Sequence, residues 1–292
     1  MPPLSGFEHI VRAREPLAQH TWFRLGGAAE YFAEPTSVEE LAGLVKRCAE
    51  LGWPVRLLGG GSNLLVRDEG VPGVVVRLSA GTFRNATVRE SRVICGGGAK
   101  LGHVISAAVG HGLAGLETLV GIPGTVGGAL HGNSGTEVGD IGPWTESATV
   151  MLRTGEIVTR QRDELRFGYR ASSLDELAIL EASFQLERES PEVLTKRMQR
   201  QWIIAKASQP AGELSMGCIF KNPLGATAAA SIEQAGLKGS RCGQVEICGA
   251  HPNFFIAGTG ATSRDVLNLI ELVRNQVQSR LGVALSPQIE VW

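Results

Sequence analysis

The chain has 292 residues with a formal net charge of −1, and its 38 glycines are roughly 13% of it against a usual share of about 7%. A hydrophobic content of 43% with 20% charged residues excludes a disordered chain, and the glycines follow no G-X-Y period, which excludes a collagen-like one. The near-zero charge argues against a nucleic-acid binder, no apolar run of about 18 residues predicts a membrane span, and no signal peptide is expected from the first 20 residues.

Taken in chain order, Ser37-Val38-Glu39-Glu40 predicts a capping box, with the serine accepting from a first-turn amide and Glu40 reaching back. Leu41, Leu44, Val45 and Cys48 follow at helical spacing, and Gly52 and Pro54 stop the helix. Residues 55–58 and 74–78 read as strands, so the start is an α/β unit with a glycine triplet, Gly59-Gly60-Gly61, at a strand's C-terminal end. Leu101, Val104, Ile105, Ala108 and Val109 have helical spacing. Residues 143–188 read mostly as strands, with a turn at Thr154-Gly155 and a clear run at 178–184. Ser190-Pro191 opens a charged helix to about Lys206. Thr262-Ser263-Arg264-Asp265 caps a last helix whose face is Val266, Leu269, Ile270, Val273, Val277 and Leu281, ended by Gly282.

Five cysteines, widely spaced and without C-x-x-C, predict neither a disulfide framework nor a zinc site, and a reducing cytoplasm fits them. The histidines at 9, 20, 103, 111 and 131 lack metal spacing, so no metal is expected.

The glycines cluster: 15 of them fall between Gly96 and Gly142. Gly110-His111-Gly112-Leu113-Ala114-Gly115 spells G-x-G-x-x-G, but a dinucleotide fingerprint follows a strand and opens a helix. Here the preceding residues are helical and no helix-like segment begins at Gly115, so this stretch is a helix terminator. Gly59-Gly60-Gly61-Ser62-Asn63 and Gly121-Ile122-Pro123-Gly124-Thr125-Val126-Gly127-Gly128 are the stronger candidates. Missing Cβ atoms let successive N–H groups converge on an anion, and Ser62, Asn63 and Thr125 add side-chain donors. Two such loops without a Walker lysine favour a large phosphate-bearing cofactor over a nucleoside triphosphate.

The string Leu58-Gly59-Gly60-Gly61-Ser62-Asn63-Leu64-Leu65-Val66 resembles the pyrophosphate loop of the UDP-N-acetylenolpyruvoylglucosamine reductase (MurB) family. Thr21-Trp22-Phe23-Arg24-Leu25-Gly26-Gly27 resembles that family's T-x-x-R-x-G-G motif. Gly115-Leu116-Glu117 through Gly128-Ala129, Phe167-Gly168-Tyr169-Arg170, Phe220-Lys221-Asn222-Pro223 and His251-Pro252-Asn253-Phe254 resemble four further family strings, in order, over about 240 residues. The resemblance implies an α+β chain with α/β units and mixed sheets. Its fold is an FAD-binding PCMH-type pair of subdomains, of the vanillyl-alcohol-oxidase type, followed by an α+β substrate-binding domain. The expected divisions are 1–80, 81–190 and 191–292. The implied cofactor is non-covalent FAD, held by Arg24, Gly59, Gly60, Gly61, Ser62, Asn63, Gly121, Ile122, Gly124, Thr125, Gly127 and Gly128, with NADPH as co-substrate. The implied reaction, in peptidoglycan precursor synthesis, reduces UDP-N-acetylglucosamine enolpyruvate to UDP-N-acetylmuramate in a cytoplasmic monomer without membrane or nucleic-acid partners.

Such a reaction needs cations for a carboxylate and a developing enolate, and one proton donor. The resemblance gives Arg170 the first task, since a guanidinium stays charged and binds carboxylate bidentately, while Tyr169 is expected to pack. Cys218 stands where the family usually carries serine; a thiol, with an ordinary pKa of about 8.5, is a better acid than a hydroxyl. The family's third group is a glutamate in an L-x-P-E-V-type strand, whereas residues 285–292 place Gln288 there by register, with Glu290 two residues on and on the same strand face. Either Gln288 is an uncharged substitute or Glu290 takes over; register favours Gln288. Lys221 and Asn222 resemble substrate contacts. Lys206 and Gln209 either address a diphosphate or are solvated. The short stretches from Arg170 to Ile179 and from Leu186 to Cys218 leave no room for a tyrosine-bearing loop, so the chain resembles the shorter, type II members. An FAD oxidase with flavin tethered through histidine, and a flavin protein without turnover, are the alternatives.

Overall fold

The computed structural model describes residues 4–207, 209–210 and 216–292. The chain forms two compact units: residues 4–14, 30–60 and 72–205, and residues 15–29, 61–71 and 206–292. The divisions expected near 80 and 190 come from shifts in the run of elements along the sequence, and these two units have other bounds.

The first unit carries two sheets. One has the order Val11–Pro16, Ala28–Ala33, Val71–Arg77, Val55–Leu58, with the last two strands parallel, Val55 opposite Val74. Helix α1, Val38–Glu50, lays Leu41, Leu44, Val45 and Cys48 against Val74 and Val76, each at most 1% exposed. Ser37 accepts from the Glu40 N–H at 3.2 Å, as the motif requires. Glu40 does not close the box on Ser37, however; its carboxylate takes the N–H and the hydroxyl of Thr36, both at 2.7 Å, and His9 at 2.8 Å. Three donors beside the cap hold Glu40 one residue upstream of the expected partner.

The second sheet is antiparallel, in the order Ile157–Gln161, Thr145–Met151, Ala178–Gln185, Arg92–Gly96, Ala86–Arg89. Helix α2, Leu101–Gly110, buries all five of its predicted apolar positions in the same core as this sheet. It ends at Gly110, so the G-x-G-x-x-G string is a helix terminus, as its context indicated. One 3-10 turn, Leu116–Leu119, does follow Gly115, because Leu116 and Leu119 both reach the core there. Helix α3 is short, Val126–His131, capped by Thr125, and helix α4 runs Pro191–Ala207.

The second unit is built on an antiparallel sheet in the order Met216–Cys218, Phe254–Ala257, Val245–Ile247, Arg241–Cys242. Helix α5, Ala228–Gln234, and helix α6, Ser263–Leu281, bury their apolar faces in that sheet's core. The α6 capping box is complete and Gly282 ends the helix in the left-handed conformation. Val266, Leu269, Ile270, Val273 and Val277 are buried, each stabilising by about 1.5–3 kcal/mol, whereas Leu281, expected on the same face, is exposed at the fraying end. The last residues are not one strand: Pro287 forms an isolated bridge, Ile289 is a bend, and only Glu290–Val291 pairs, with Leu64 and Leu65 in parallel. The bend removes the shared strand face that would have made Glu290 interchangeable with Gln288. Among the described residues, no helix is long and apolar enough to cross a membrane.

Candidate active site

In the first unit the two glycine loops meet. A Cβ on Gly60 would lie 2.6 Å from the Gly124 Cα, and one on Gly59 would lie 3.0 Å from Thr125 Oγ1. The N–H groups of Gly60 and Gly124 have no acceptor among the described residues. Buried or half-buried backbone donors of this kind call for an acceptor from outside the chain, and two adjacent sets of them suit a phosphate group. The pair of loops therefore fits the pyrophosphate of a dinucleotide-sized cofactor.

The later half of the second loop is spent differently from the expectation. Ile122 N–H donates to Leu119 O at 3.1 Å, Gly127 N–H to Gly97 O at 2.8 Å, and Gly128 N–H to Thr125 Oγ1 at 3.3 Å. These three donors close the fold, because a turn leading into α3 must satisfy its own amides. Any contact that they make with a cofactor is through other atoms.

Glu117, quoted above only as part of a string, is 1% exposed and accepts from Gly115 N–H at 2.5 Å and from Arg197 Nη1 on α4 at 2.8 Å. A charged residue inside a run of Leu and Gly was the available signal, since a carboxylate there is buried only with partners.

Arg170 sits in the turn between Phe167–Gly168 and Ala171–Ser172, with a left-handed φ of +53°. Its guanidinium carbon lies 5.7 Å from the centre of the Tyr169 ring. Tyr169 was expected to pack, yet it is 57% exposed, because its place in a tight two-residue turn points its side chain away from the core. A non-glycine residue in this conformation is uncommon and marks a site where the turn geometry is imposed.

In the second unit, Gly61 has φ +66° and a Cβ on it would lie 2.1 Å from the His20 carbonyl oxygen. Trp22 N–H donates to Gly61 O at 3.0 Å, so the 21–27 motif is fastened to the end of the glycine triplet. Arg24 follows, exposed and with φ +53°. Asn63, expected as a cofactor donor, gives its Nδ2 to the Gln288 carbonyl at 2.9 Å and accepts Glu290 N–H on its own carbonyl at 3.0 Å.

Cys218 ends the strand Met216–Cys218 and pairs with Phe254. The chain then changes partner: Gln288 N–H donates to Ile219 O at 2.8 Å and Lys221 N–H donates to Ser286 O at 2.9 Å. Gln288, far in sequence from Cys218 and Lys221, thus comes onto a backbone adjoining theirs. Asn222 caps the turn before α5 through its Oδ1, which accepts Ala228 N–H at 3.0 Å.

The family resemblance gives Asn253 no role of its own. Its Oδ1 accepts Phe220 N–H at 2.9 Å, and its Nδ2 donates to Phe220 O at 2.8 Å and to Cys218 Sγ at 3.4 Å. An amide immediately before the apolar strand Phe254–Ala257 was the signal for it.

Two of the other thiols differ from Cys218. Burial pushes Cys48 up to about 11, and burial together with the Glu181 carboxylate pushes Cys95 up to about 12. Both are buried and Cys218 is partly accessible.

The paired glycine loops and the surrounding sheets define an α+β protein with an FAD-binding domain, whose family description matches residues 29–160. Residues 209–292 match the C-terminal domain of UDP-N-acetylenolpyruvoylglucosamine reductase. Over 284 residues the chain is 37% identical to the UDP-N-acetylenolpyruvoylglucosamine reductase of Rhodopirellula baltica, covering 97% of this chain and 93% of the relative. It is 41% identical to that of Syntrophobacter fumaroxidans over 283 residues, 95% of this chain and 82% of the relative. The crystal structure of the Thermus caldophilus enzyme superposes with a TM-score of 0.83 at 35% identity, covering 97% of this chain and 99% of that one. The chain belongs to the UDP-N-acetylenolpyruvoylglucosamine reductase family and is an FAD-dependent oxidoreductase.

Proposed function

We propose that this protein reduces UDP-N-acetylglucosamine enolpyruvate to UDP-N-acetylmuramate at the expense of NADPH, as a cytoplasmic monomer in peptidoglycan precursor synthesis. The observation that carries the reading is the meeting of Cys218 and Gln288 on adjoining backbones, in a chain of this family. When bound, non-covalent FAD supplies the redox relay that takes hydride from NADPH and delivers it to the β-carbon of the enol ether.

The residues of the chain do the rest. Gly59, Gly60, Gly61, Ser62, Gly121, Gly124 and Thr125 surround the cofactor, with Arg24, Asn63, Ile122, Gly127 and Gly128 shaping the loops. Arg170 holds the substrate carboxylate and the enolate charge that grows on it. Cys218 gives its thiol proton to the α-carbon. Gln288 hydrogen-bonds the reacting carboxylate as an uncharged replacement for a glutamate, and Lys221 and Asn222 contact the substrate. Three sheets, in 1–80, 81–190 and 191–292, support a division into two cofactor-binding subdomains and a substrate domain.

The test is steady-state NADPH consumption with and without enolpyruvyl-UDP-N-acetylglucosamine. Strong stimulation with UDP-N-acetylmuramate as product is expected. Consumption that the substrate does not stimulate overturns the reading, and flavin that stays with denatured protein would point to a tethered oxidase instead.

A further inference from the structure

We propose that Asn253 is a positioning residue that orients the Cys218 thiol and receives the charge left on its sulfur, an inference that rests on the proton-donor reading above. A side-chain amide is chemically a peptide group, and Asn253 uses it as one. Past Cys218 the chain departs from the strand that carries Phe254, which leaves the N–H and C=O of Phe220 to be paired. Asn253 supplies both partners, Oδ1 to the N–H and Nδ2 to the C=O, while its own carbonyl takes Ile219 N–H at 3.0 Å. Because the Phe220 N–H needs an acceptor, the amide cannot be turned around. The group facing Sγ is therefore always the NH2 donor.

Two consequences follow for the reaction. The sulfur accepts from Asn253, so the S–H bond does not point at this amide. As the S–H bond breaks and a C–H bond forms at the substrate α-carbon, the electron pair stays on sulfur. The Nδ2–H group already in place then meets a thiolate, and a hydrogen bond to an ion is stronger than one to a neutral thiol. Water returns the proton afterwards. Asn253 favours the state after proton transfer over the state before it, which is what a rate effect requires.

Asn253→Asp keeps Oδ1 as the acceptor for Phe220 N–H, while the group that donates to both Cys218 Sγ and Phe220 O is replaced by an anionic oxygen, so the variant is read only where circular dichroism shows it folded. In the flavin-loaded enzyme the rate of iodoacetamide alkylation at Cys218, read by peptide mass spectrometry, is expected to fall about tenfold at a fixed pH of about 8. The kcat for enolpyruvyl reduction is expected to fall by a similar factor, with KM within about twofold and flavin reduction by NADPH unchanged. Should Asn253→Asp not fold, Asn253→Ser, whose single hydroxyl cannot serve all three partners, is read the same way. Unchanged alkylation in a folded variant overturns the proposal, as does a raised KM with kcat intact, which would make Asn253 a substrate contact. The alkylation arm needs no turnover, so it separates failure of this inference from failure of the proposed reaction.

Discussion

Asn63 holds Gln288: its side-chain amide donates to the Gln288 carbonyl at 2.9 Å, across 225 positions of sequence. The glycine-rich loop expected to serve a cofactor is thereby also the support for a residue expected to act on the substrate. Asn63→Ala removes a neutral hydrogen bond and should lower unfolding free energy by about 1 kcal/mol in urea titration. It should also lower turnover, since Gln288 loses one of its two backbone anchors. A variant with full turnover would show that the anchor does not matter to catalysis.

Gly60→Ala places a methyl group 2.6 Å from the Gly124 backbone, where no side chain can yield. The two loops must separate, and purified Gly60→Ala should carry little flavin, measured by its visible absorbance relative to protein. Gly102→Ala is the control: its Cβ meets nothing within 4 Å inside α2. It should retain flavin and gain about 0.5–1 kcal/mol of stability. Flavin retention by Gly60→Ala would remove the loop pair from the cofactor site.

The cysteines should separate on alkylation. Cys48 and Cys95 are buried and held up at about 11 and about 12, so both stay almost wholly protonated at pH near 8 in the folded protein. Iodoacetamide should label Cys218 and spare these two until denaturant is added, with loss of enolpyruvyl reduction in step with Cys218 labelling. Labelling of Cys95 in the native protein would contradict the burial described for it.

Acid stability should carry a mark of Glu40. The His9 ring and the Thr36 backbone and hydroxyl hold its carboxyl at about 2, below the ordinary 4.5. A depressed folded-state value adds stability above the unfolded value, and that stability is lost as pH falls from about 4.5 to about 2. Glu40→Gln should therefore flatten the fall of melting temperature in that window while leaving its slope near neutrality unchanged. An identical acid limb in the variant would show that His9 and Thr36 do not hold this carboxylate in solution.

Much of this was legible beforehand where local chemistry decides. The α1 face, the α2 terminus that dismissed the G-x-G-x-x-G string, and the complete α6 cap all follow from spacing and capping residues. Non-local pairing was not legible. The bend at Ile289 depends on Asn63 and Leu64 drawing Glu290 away, and no periodicity in 285–292 records that. Asn253 was hidden for the same reason, because its partners lie at 218 and 220 and a single amide leaves no pattern. Gly127 and Gly128 looked like cofactor donors because a glycine that packs against backbone and one that cradles an anion are spelled alike.

The most direct measurement mixes NADPH-reduced, oxygen-free enzyme with enolpyruvyl-UDP-N-acetylglucosamine and follows the return of flavin absorbance, for the wild type and for Cys218→Ala. Rapid return in the wild type, with UDP-N-acetylmuramate formed and a return slowed by orders of magnitude in Cys218→Ala, is the predicted result. No return in the wild type, or equal rates in the two proteins, would contradict the account.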